Sequence, residues 1–108
     1  MNPIYDDVAA LMLQLEAELR RLRLWEEQTP PAELLASTEP FCVDTLTLPQ
    51  WLQFVFLPRM TELIEGARPL PDQCGIAPIA EEYFRGGDYT AGELIKLLAD
   101  IDARLQRG

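Results

Sequence analysis

The stretch from Leu48 to Ile64 limits the available folds more than any other part of this chain. Its apolar side chains recur at spacings that cover nearly every side of a helical cylinder. Such a helix must be surrounded by other elements, so we expect it to be central. Pro58 lies inside it and cannot donate to the carbonyl four residues back, which predicts a bend or a split. Thr47 and Gln50 form a capping-box pattern at its start, and Gly66 is placed to end it.

Three further segments can surround that helix. From about Ile4 to Glu27, apolar residues fall three and four positions apart and line one helix face. A short helix is predicted from about Pro78 to Arg85, closed by a glycine pair. The last helix begins at Thr90, which forms a second capping box with Glu93, and it presents one apolar stripe.

Residues 28 to 46 form a long, proline-containing connection. One helical turn from Ala32 to Ala36 fits here, because two prolines precede it. Its later apolar residues indicate that the connection packs against the rest of the molecule. The sequence predicts an all-α protein with one domain, residues 1–108, folded as a compact bundle of about four helices around a central, proline-bent apolar helix.

The charge balance excludes several functions. Nine basic and 18 acidic residues give a formal net charge of −9, which repels phosphate backbones and anionic lipid headgroups. We therefore expect no direct binding to nucleic acid or membranes. The chain has no histidine, so it lacks the commonest general base and the usual nitrogen ligand of zinc. We expect no catalytic residue, no metal and no cofactor.

Cys42 and Cys74 are the only cysteines, and they show no CxxC spacing. We interpret them as reduced, mostly buried thiols, since no other feature indicates secretion. The N-terminal residues do not resemble a signal peptide, because no basic segment precedes an apolar run. No apolar run approaches the roughly 20 residues that span a bilayer. A cytoplasmic protein is the expectation.

Acidic residues occur in adjacent pairs, but neighbours one or two apart on a helix do not face each other. Asp100 is spaced to pair with Arg104, and Glu81 with Arg85. These patterns favour a solvated helix face, with a metal or catalytic role as the alternative. The one dense basic patch is flanked by glutamates, which favours surface ion pairs over anion binding; it comprises Arg20, Arg21 and Arg23.

The candidate site lies around the central helix and comprises Phe41, Asp44, Trp51, Phe54 and Arg59. A charged Arg59 on a largely apolar helix must reach solvent or find a partner. One interpretation is structural: an Asp44–Arg59 ion pair fixes the long connection onto the bundle, with Trp51 and Phe54 in the core. The other is a groove with Trp51 and Phe41 as aromatic walls, where Arg59 receives a carboxylate or phosphate of a ligand or partner.

Several motifs in this region and beyond also occur together in a known family. They are Ser37-Thr38-Glu39-Pro40-Phe41 with Asp44 and Thr45, Trp51-Leu52-Gln53-Phe54 through Leu57-Pro58-Arg59-Met60, and the later Pro69-Leu70-Pro71 and Ala77-Pro78. Over nearly its whole length the chain resembles the bacterial YqcC-like family, a small all-α domain of unknown function. The resemblance implies no established activity. Family members are often encoded beside a transfer-RNA pseudouridine synthase, which implies an association with RNA modification. The chain departs from more aromatic versions of the motif at Cys42.

The chain itself is too short and too acidic for a pseudouridine synthase, which uses an aspartate in a much larger α/β domain with a basic RNA-binding surface. We expect a non-enzymatic interaction or accessory protein with an unidentified protein partner, whose choice is encoded in residues 37–59. The alternative is a small-molecule or acyl-chain binding protein with a pocket beside the central helix. A homodimer through the apolar face of the first helix also stays open.

Overall fold

The computed structural model describes residues 3–71, 75–85 and 91–107, which contain helices and no strand. The elements before the central helix are α1 (Pro3–Arg21), the short α2 (Ala32–Leu35) and a 3-10 turn (Pro40–Cys42). The central helix runs through α3 (Leu48–Trp51), a π-helical segment (Leu52–Phe56) and α4 (Leu57–Glu65). Two more helices follow, α5 (Ile76–Phe84) and α6 (Gly92–Arg107). The predicted all-α fold is confirmed.

The core forms where α6 packs against both α1 and α5, while α4 packs against α1. Two polar contacts fix these neighbours: the Tyr5 hydroxyl donates to the Arg68 carbonyl at 2.7 Å, and Arg104 donates to Asp7 at 3.0 Å. The predicted Asp100–Arg104 pair is wrong, because Arg104 reaches across to α1. The largest fully buried side chains are Val8, Leu15, Leu19, Leu52, Met60, Ile76, Leu94, Leu98, Ile101 and Leu105.

Pro58 is accommodated by a wider helical turn rather than by a break. The Leu57 amide donates to the Leu52 carbonyl five residues back, which is the π-helical pattern. Phe56 and Leu57 both keep right-handed helical dihedral angles, so the helix continues into α4. The wider turn leaves room for the proline ring against the carbonyl of Phe54, which receives no amide proton from residue 58.

The central helix begins and ends near the predicted residues. The Thr47 hydroxyl accepts from the Gln50 amide at 3.3 Å, and the Gln50 side chain accepts from the Thr47 amide at 2.9 Å, so the capping box is confirmed. Gly66 follows the last helical residue with an ordinary φ of −87°. The left-handed residue of this helix end is Ala67, with φ of 51°.

α1 ends at Arg21, six residues before the predicted limit at Glu27. Arg23 adopts a left-handed φ of 61°, and the Leu24 amide donates to the Leu19 carbonyl at 2.9 Å. These are the marks of a Schellman motif, which normally places glycine at the left-handed position. No glycine or proline occurs at this helix end, so the apolar pattern predicted a helix that was too long.

The remaining ion pairs are local to single helices. Arg85 pairs with Glu82 at 3.0 Å, so the predicted partner Glu81 is wrong by one position, since side chains three apart also face each other. The arginine patch forms ordinary surface pairs, namely Arg20 with Glu16 at 3.0 Å and Arg21 with Glu18 at 2.6 Å.

Cys42 is buried with a free thiol, as predicted. Cys74 and the Thr90 cap lie outside the described residues. Within the described ranges, no helix combines the length and apolar character that a bilayer crossing requires.

Candidate functional site

Two of the predicted site residues contact each other directly. The Phe41 ring meets the Trp51 ring edge to face, with 4.9 Å between their centroids. Trp51 in turn stacks on Phe56 with centroids 5.4 Å apart. Phe41 and Trp51 are half-buried against the core, so the two aromatic residues form one packed cluster instead of two separated walls.

The connection reaches this cluster through an unusual backbone. Phe41 and Cys42 both have positive φ, 59° and 49°, which costs about 1 kcal/mol or more for each residue with a side chain. The Phe41–Trp51 contact and the burial of Cys42 offset that cost. Further along, the Thr45 hydroxyl donates to the Leu34 carbonyl at 2.6 Å and ties the connection back to α2.

Asp44 and Arg59 do not form the ion pair that the structural interpretation predicted. The Asp44 carboxylate accepts from the Ser37 hydroxyl at 2.5 Å, within the connection itself. Arg59 is exposed, so water solvates its charge, and among the described residues it takes part in no ion pair. Phe54 is half-buried and stacks on no other ring in the described ranges. The use of these five residues as a partner site stays a prediction.

Gln53 is a structural anchor that the sequence analysis missed. Its side-chain oxygen accepts from the Glu26 amide at 2.9 Å, and its side-chain nitrogen donates to the Glu26 carbonyl at 2.6 Å. Only 8% of Gln53 is exposed. The signal was a glutamine within the most apolar part of the helix, Leu52–Phe56, since a buried amide must find partners for both its groups.

Asp102 is a second anchor that the sequence did not reveal. Its carboxylate accepts from the amides of Ile76 at 3.0 Å and Ala77 at 2.8 Å. These amides lie at the start of α5, which has no side-chain cap of its own. A buried acid on α6 therefore caps a different helix, satisfying amides that have no partner within it.

A concave surface lies between α1 and the central helix, and we name it the α1–α4 groove. It encloses about 740 Å³. Its lining residues are Ala9, Met12, Leu13 and Glu16 from α1, Trp25 after α1, and Gln53, Leu57, Pro58, Thr61, Glu62, Ile64 and Glu65 from the central helix. The groove lies beside the central helix, where the alternative function predicted a pocket for a small molecule or an acyl chain.

The α1–α4 groove has an apolar floor and an acidic rim. Leu13 is 72% exposed although it is a large apolar residue. Of the three rim glutamates, Glu16 is paired with Arg20. Glu62 and Glu65 are exposed and form no ion pair with any described residue. The groove therefore combines unsatisfied apolar surface with uncompensated negative charge.

A second apolar surface, which we name the Val43 patch, lies beside the aromatic cluster. It surrounds a shallow cavity of about 100 Å³ lined by Phe41, Val43, Leu46, Leu48, Ile79 and Tyr83. Val43 is 71% exposed, and this exposed fraction is nearly equal to that of Leu13, 72%. This patch contains one predicted site residue, Phe41.

A third depression, of about 390 Å³, is polar and lies between α1 and α6. Glu18 lines it, and the hydrogen bond from Arg21 lowers the pKa of this carboxyl. No group of three metal-binding side chains occurs within the described ranges.

The fold and these surfaces define a small all-α domain with an open apolar groove. The chain belongs to the DUF446 family, whose model, described as "tRNA pseudouridine synthase C", matches residues 7–104. The resemblance to a YqcC-like family is thereby confirmed.

Individual relatives are bacterial. An uncharacterized protein of Haemophilus influenzae is 44% identical over 72 residues, 67% of this chain and 68% of that protein. The uncharacterized protein YqcC of Escherichia coli is 38% identical over 77 residues, 71% of each chain. The solution NMR structure of protein YqcC from E. coli superposes with a TM-score of 0.84 at 31% identity, covering 95% of this chain and 88% of that one.

One relative is much longer. A protein of Pectobacterium carotovorum named tRNA pseudouridine synthase C is 35% identical over 81 residues. That match covers 75% of this chain but only 22% of the Pectobacterium protein. A segment similar to this chain thus forms part of a larger polypeptide in that organism.

Proposed function

We propose that the chain is a non-enzymatic accessory protein that works in the cytoplasm by binding a tRNA pseudouridine synthase. The observation that carries the proposal is the α1–α4 groove, where the exposed Leu13 adjoins Met12, Leu57 and Trp25. Apolar side chains gathered at one exposed groove are typical of a binding surface, whereas scattered ones need no explanation.

The Pectobacterium relative supports the choice of partner. There a segment similar to this chain shares one polypeptide with the rest of a tRNA pseudouridine synthase C. Two modules linked in one polypeptide meet at high effective concentration. We extend that association to binding between separate chains. The affinity of the groove would then keep the two proteins together, as the covalent link does in the longer protein.

Calorimetric titration of this chain into the tRNA pseudouridine synthase C of the same organism tests the proposal. We expect a one-to-one complex with a Kd of about 10 µM or tighter. Leu13→Asp should weaken it about tenfold or more, whereas Val43→Asp, at an equally exposed position, should not. Absence of binding at about 100 µM would refute the proposal. Pseudouridine formation by the chain alone would refute its non-enzymatic part.

The second candidate function is binding of a small molecule or an acyl chain in the same groove. Its volume of about 740 Å³ falls in the range of ligand pockets. The acidic rim disfavours fatty acids, since carboxylates would face Glu62 and Glu65. A rise in melting temperature with dodecanoate would favour this candidate, and we expect none.

A further inference from the structure

We infer that the α1–α4 groove binds a basic amphipathic helix of the partner protein. The inference rests on the proposed function for the identity of that partner, but the chemistry of the occupant follows from the groove itself. Two properties of the groove carry it, namely its dimensions and its charge.

The dimensions of the groove suit a helix of two to three turns. On α1 the lining runs from Ala9 to Glu16, about 10 Å at 1.5 Å per residue. On the central helix it runs from Gln53 to Glu65, about 18 Å. The α1 residues form two rows spaced four apart on one helix face, Ala9 with Leu13 and Met12 with Glu16, and a third helix can lay its own ridges beside these rows.

The two walls run antiparallel, which gives the groove distinct ends. The start of α1 lies near the residues after α4, because Tyr5 donates to the Arg68 carbonyl. The residues after α1 lie near the start of the central helix, because Gln53 holds Glu26. Trp25 therefore lies toward one end of the groove, while Glu62 and Glu65 lie toward the other.

The charge of the rim selects the occupant. Glu62 and Glu65 have no cationic partner among the described residues, and the whole chain carries a net charge of −9. Lysine or arginine flanking an apolar stripe would neutralise this rim and speed association. A second copy of this chain would bring like charges together, so the rim opposes self-association through the groove.

Trp25 provides a direct reporter of occupancy, because it lines the groove while Trp51 lies in the aromatic cluster. The Arg20 guanidinium sits 4.5 Å from the centre of the Trp25 ring. In a Trp51→Phe background, the fluorescence of Trp25 alone reports whether the groove is filled. A labelled-peptide anisotropy titration of the chain with Trp51 intact gives the same affinity independently of that substitution.

The probe is a synthetic peptide of about 16 residues made of leucine, lysine and alanine, with leucines three and four apart and lysines flanking them. One control peptide has glutamate in place of lysine, and another has the same composition in scrambled order. The groove variants are Leu13→Asp and Glu62→Lys. Their matched controls away from the groove are Val43→Asp and Glu81→Lys, both at exposed positions.

We expect saturable binding of the lysine peptide with a blue shift of Trp25 emission. Leu13→Asp should weaken this binding about tenfold and Glu62→Lys about threefold or more, while the control variants stay within about twofold. Three results would overturn the inference: equal losses in the groove and control variants, equal affinity for the glutamate or scrambled peptide, or no saturation up to about 1 mM.

Failure of this inference differs from failure of the proposed function. If the synthase binds and Val43→Asp, but not Leu13→Asp, abolishes the complex, the accessory function stands and the groove is not its surface. If the lysine peptide binds the groove but the synthase does not bind the chain, the groove takes a basic helix and the synthase is the wrong partner.

Discussion

Single residues hold unfavourable backbone conformations at the ends of two helices. Ala67 after α4 and Arg23 after α1 both have left-handed φ, 51° and 61°, where glycine is the preferred residue. The hydrogen bonds that close these helix ends are nevertheless made, with the Arg68 amide donating to the Leu63 carbonyl at 2.8 Å. The bundle thus tolerates a local cost in order to turn the chain sharply.

Ala67→Gly should stabilise the protein by about 0.5–1 kcal/mol, because glycine relieves the left-handed strain. The measurement is the free energy of unfolding in urea. Gly66→Ala is the matched control: φ there is ordinary, but an added Cβ would lie 3.3 Å from the Glu62 carbonyl oxygen, so no gain is expected. A loss of stability in Ala67→Gly would contradict the assignment of this turn.

The Glu18–Arg21 pair should add a small pH-dependent increment. The hydrogen bond from Arg21 lowers the pKa of Glu18 below its usual value of 4.5, so the pair stabilises the fold above that pH. The increment fades as the pH falls through the lowered pKa. Glu18→Gln should therefore cost about 0.3–0.5 kcal/mol near pH 7 and less near pH 3. An equal loss at both pH values would point to packing instead of charge.

At the scale of whole elements, α5 depends on α6 for its start. The Asp102 carboxylate accepts from the Ile76 and Ala77 amides, and the N-cap residue of α5, Gly75, provides no side-chain cap. The cap lies about 25 residues away in sequence. A contact of this kind follows from how two helices pack, which is why no local pattern predicted it.

Asp102→Ala should destabilise the protein by about 1–3 kcal/mol, because two buried amides lose a charged acceptor. Amide exchange should quicken first at Ile76 and Ala77. Asp100→Ala serves as the control, since Asp100 is exposed and caps nothing among the described residues. Similar losses in both variants would mean that general helix effects outweigh the cap.

The difference between local signals and contacts distant in sequence also decides which elements could be predicted from the sequence. The central helix was predictable from residue 47 to residue 66, because its capping box and its all-round apolar surface are local signals. The end of α1 was not predictable, since Arg23 occupies a left-handed position where glycine is the usual residue and the usual sequence signal. Pro58 predicted a disturbance, and the π-helical hydrogen bond from Leu57 to Leu52 is the form it takes.

The candidate site was less predictable for a related reason. Phe41 and Trp51 were predicted as walls of one groove, and their rings contact each other; Arg59 was expected to reach solvent or to need a partner because the helix around it is largely apolar. Exposure of the position removes that need. The α1–α4 groove depends on the separation of two helices far apart in sequence, and the periodicity of either helix alone carries no information about that separation.

At the scale of the whole molecule, charge and apolar surface act together. A net charge of −9 disfavours contact between like-charged copies of the chain and favours contact with basic partners. The two exposed apolar surfaces, the α1–α4 groove and the Val43 patch, differ in their rims, since the groove alone is lined by unpaired acids. Under the proposed function, the apolar floor would supply the affinity and the acidic rim the selectivity for a basic helix.

Methyl NMR of the chain during titration with the tRNA pseudouridine synthase C of the same organism tests this account most directly. The account predicts that the methyl signals of Met12, Leu13 and Ile64 shift or broaden up to saturation, while those of Val43 and Ile79 stay in place. Changes confined to Val43 and Ile79, or an unchanged spectrum at saturating synthase, would contradict it.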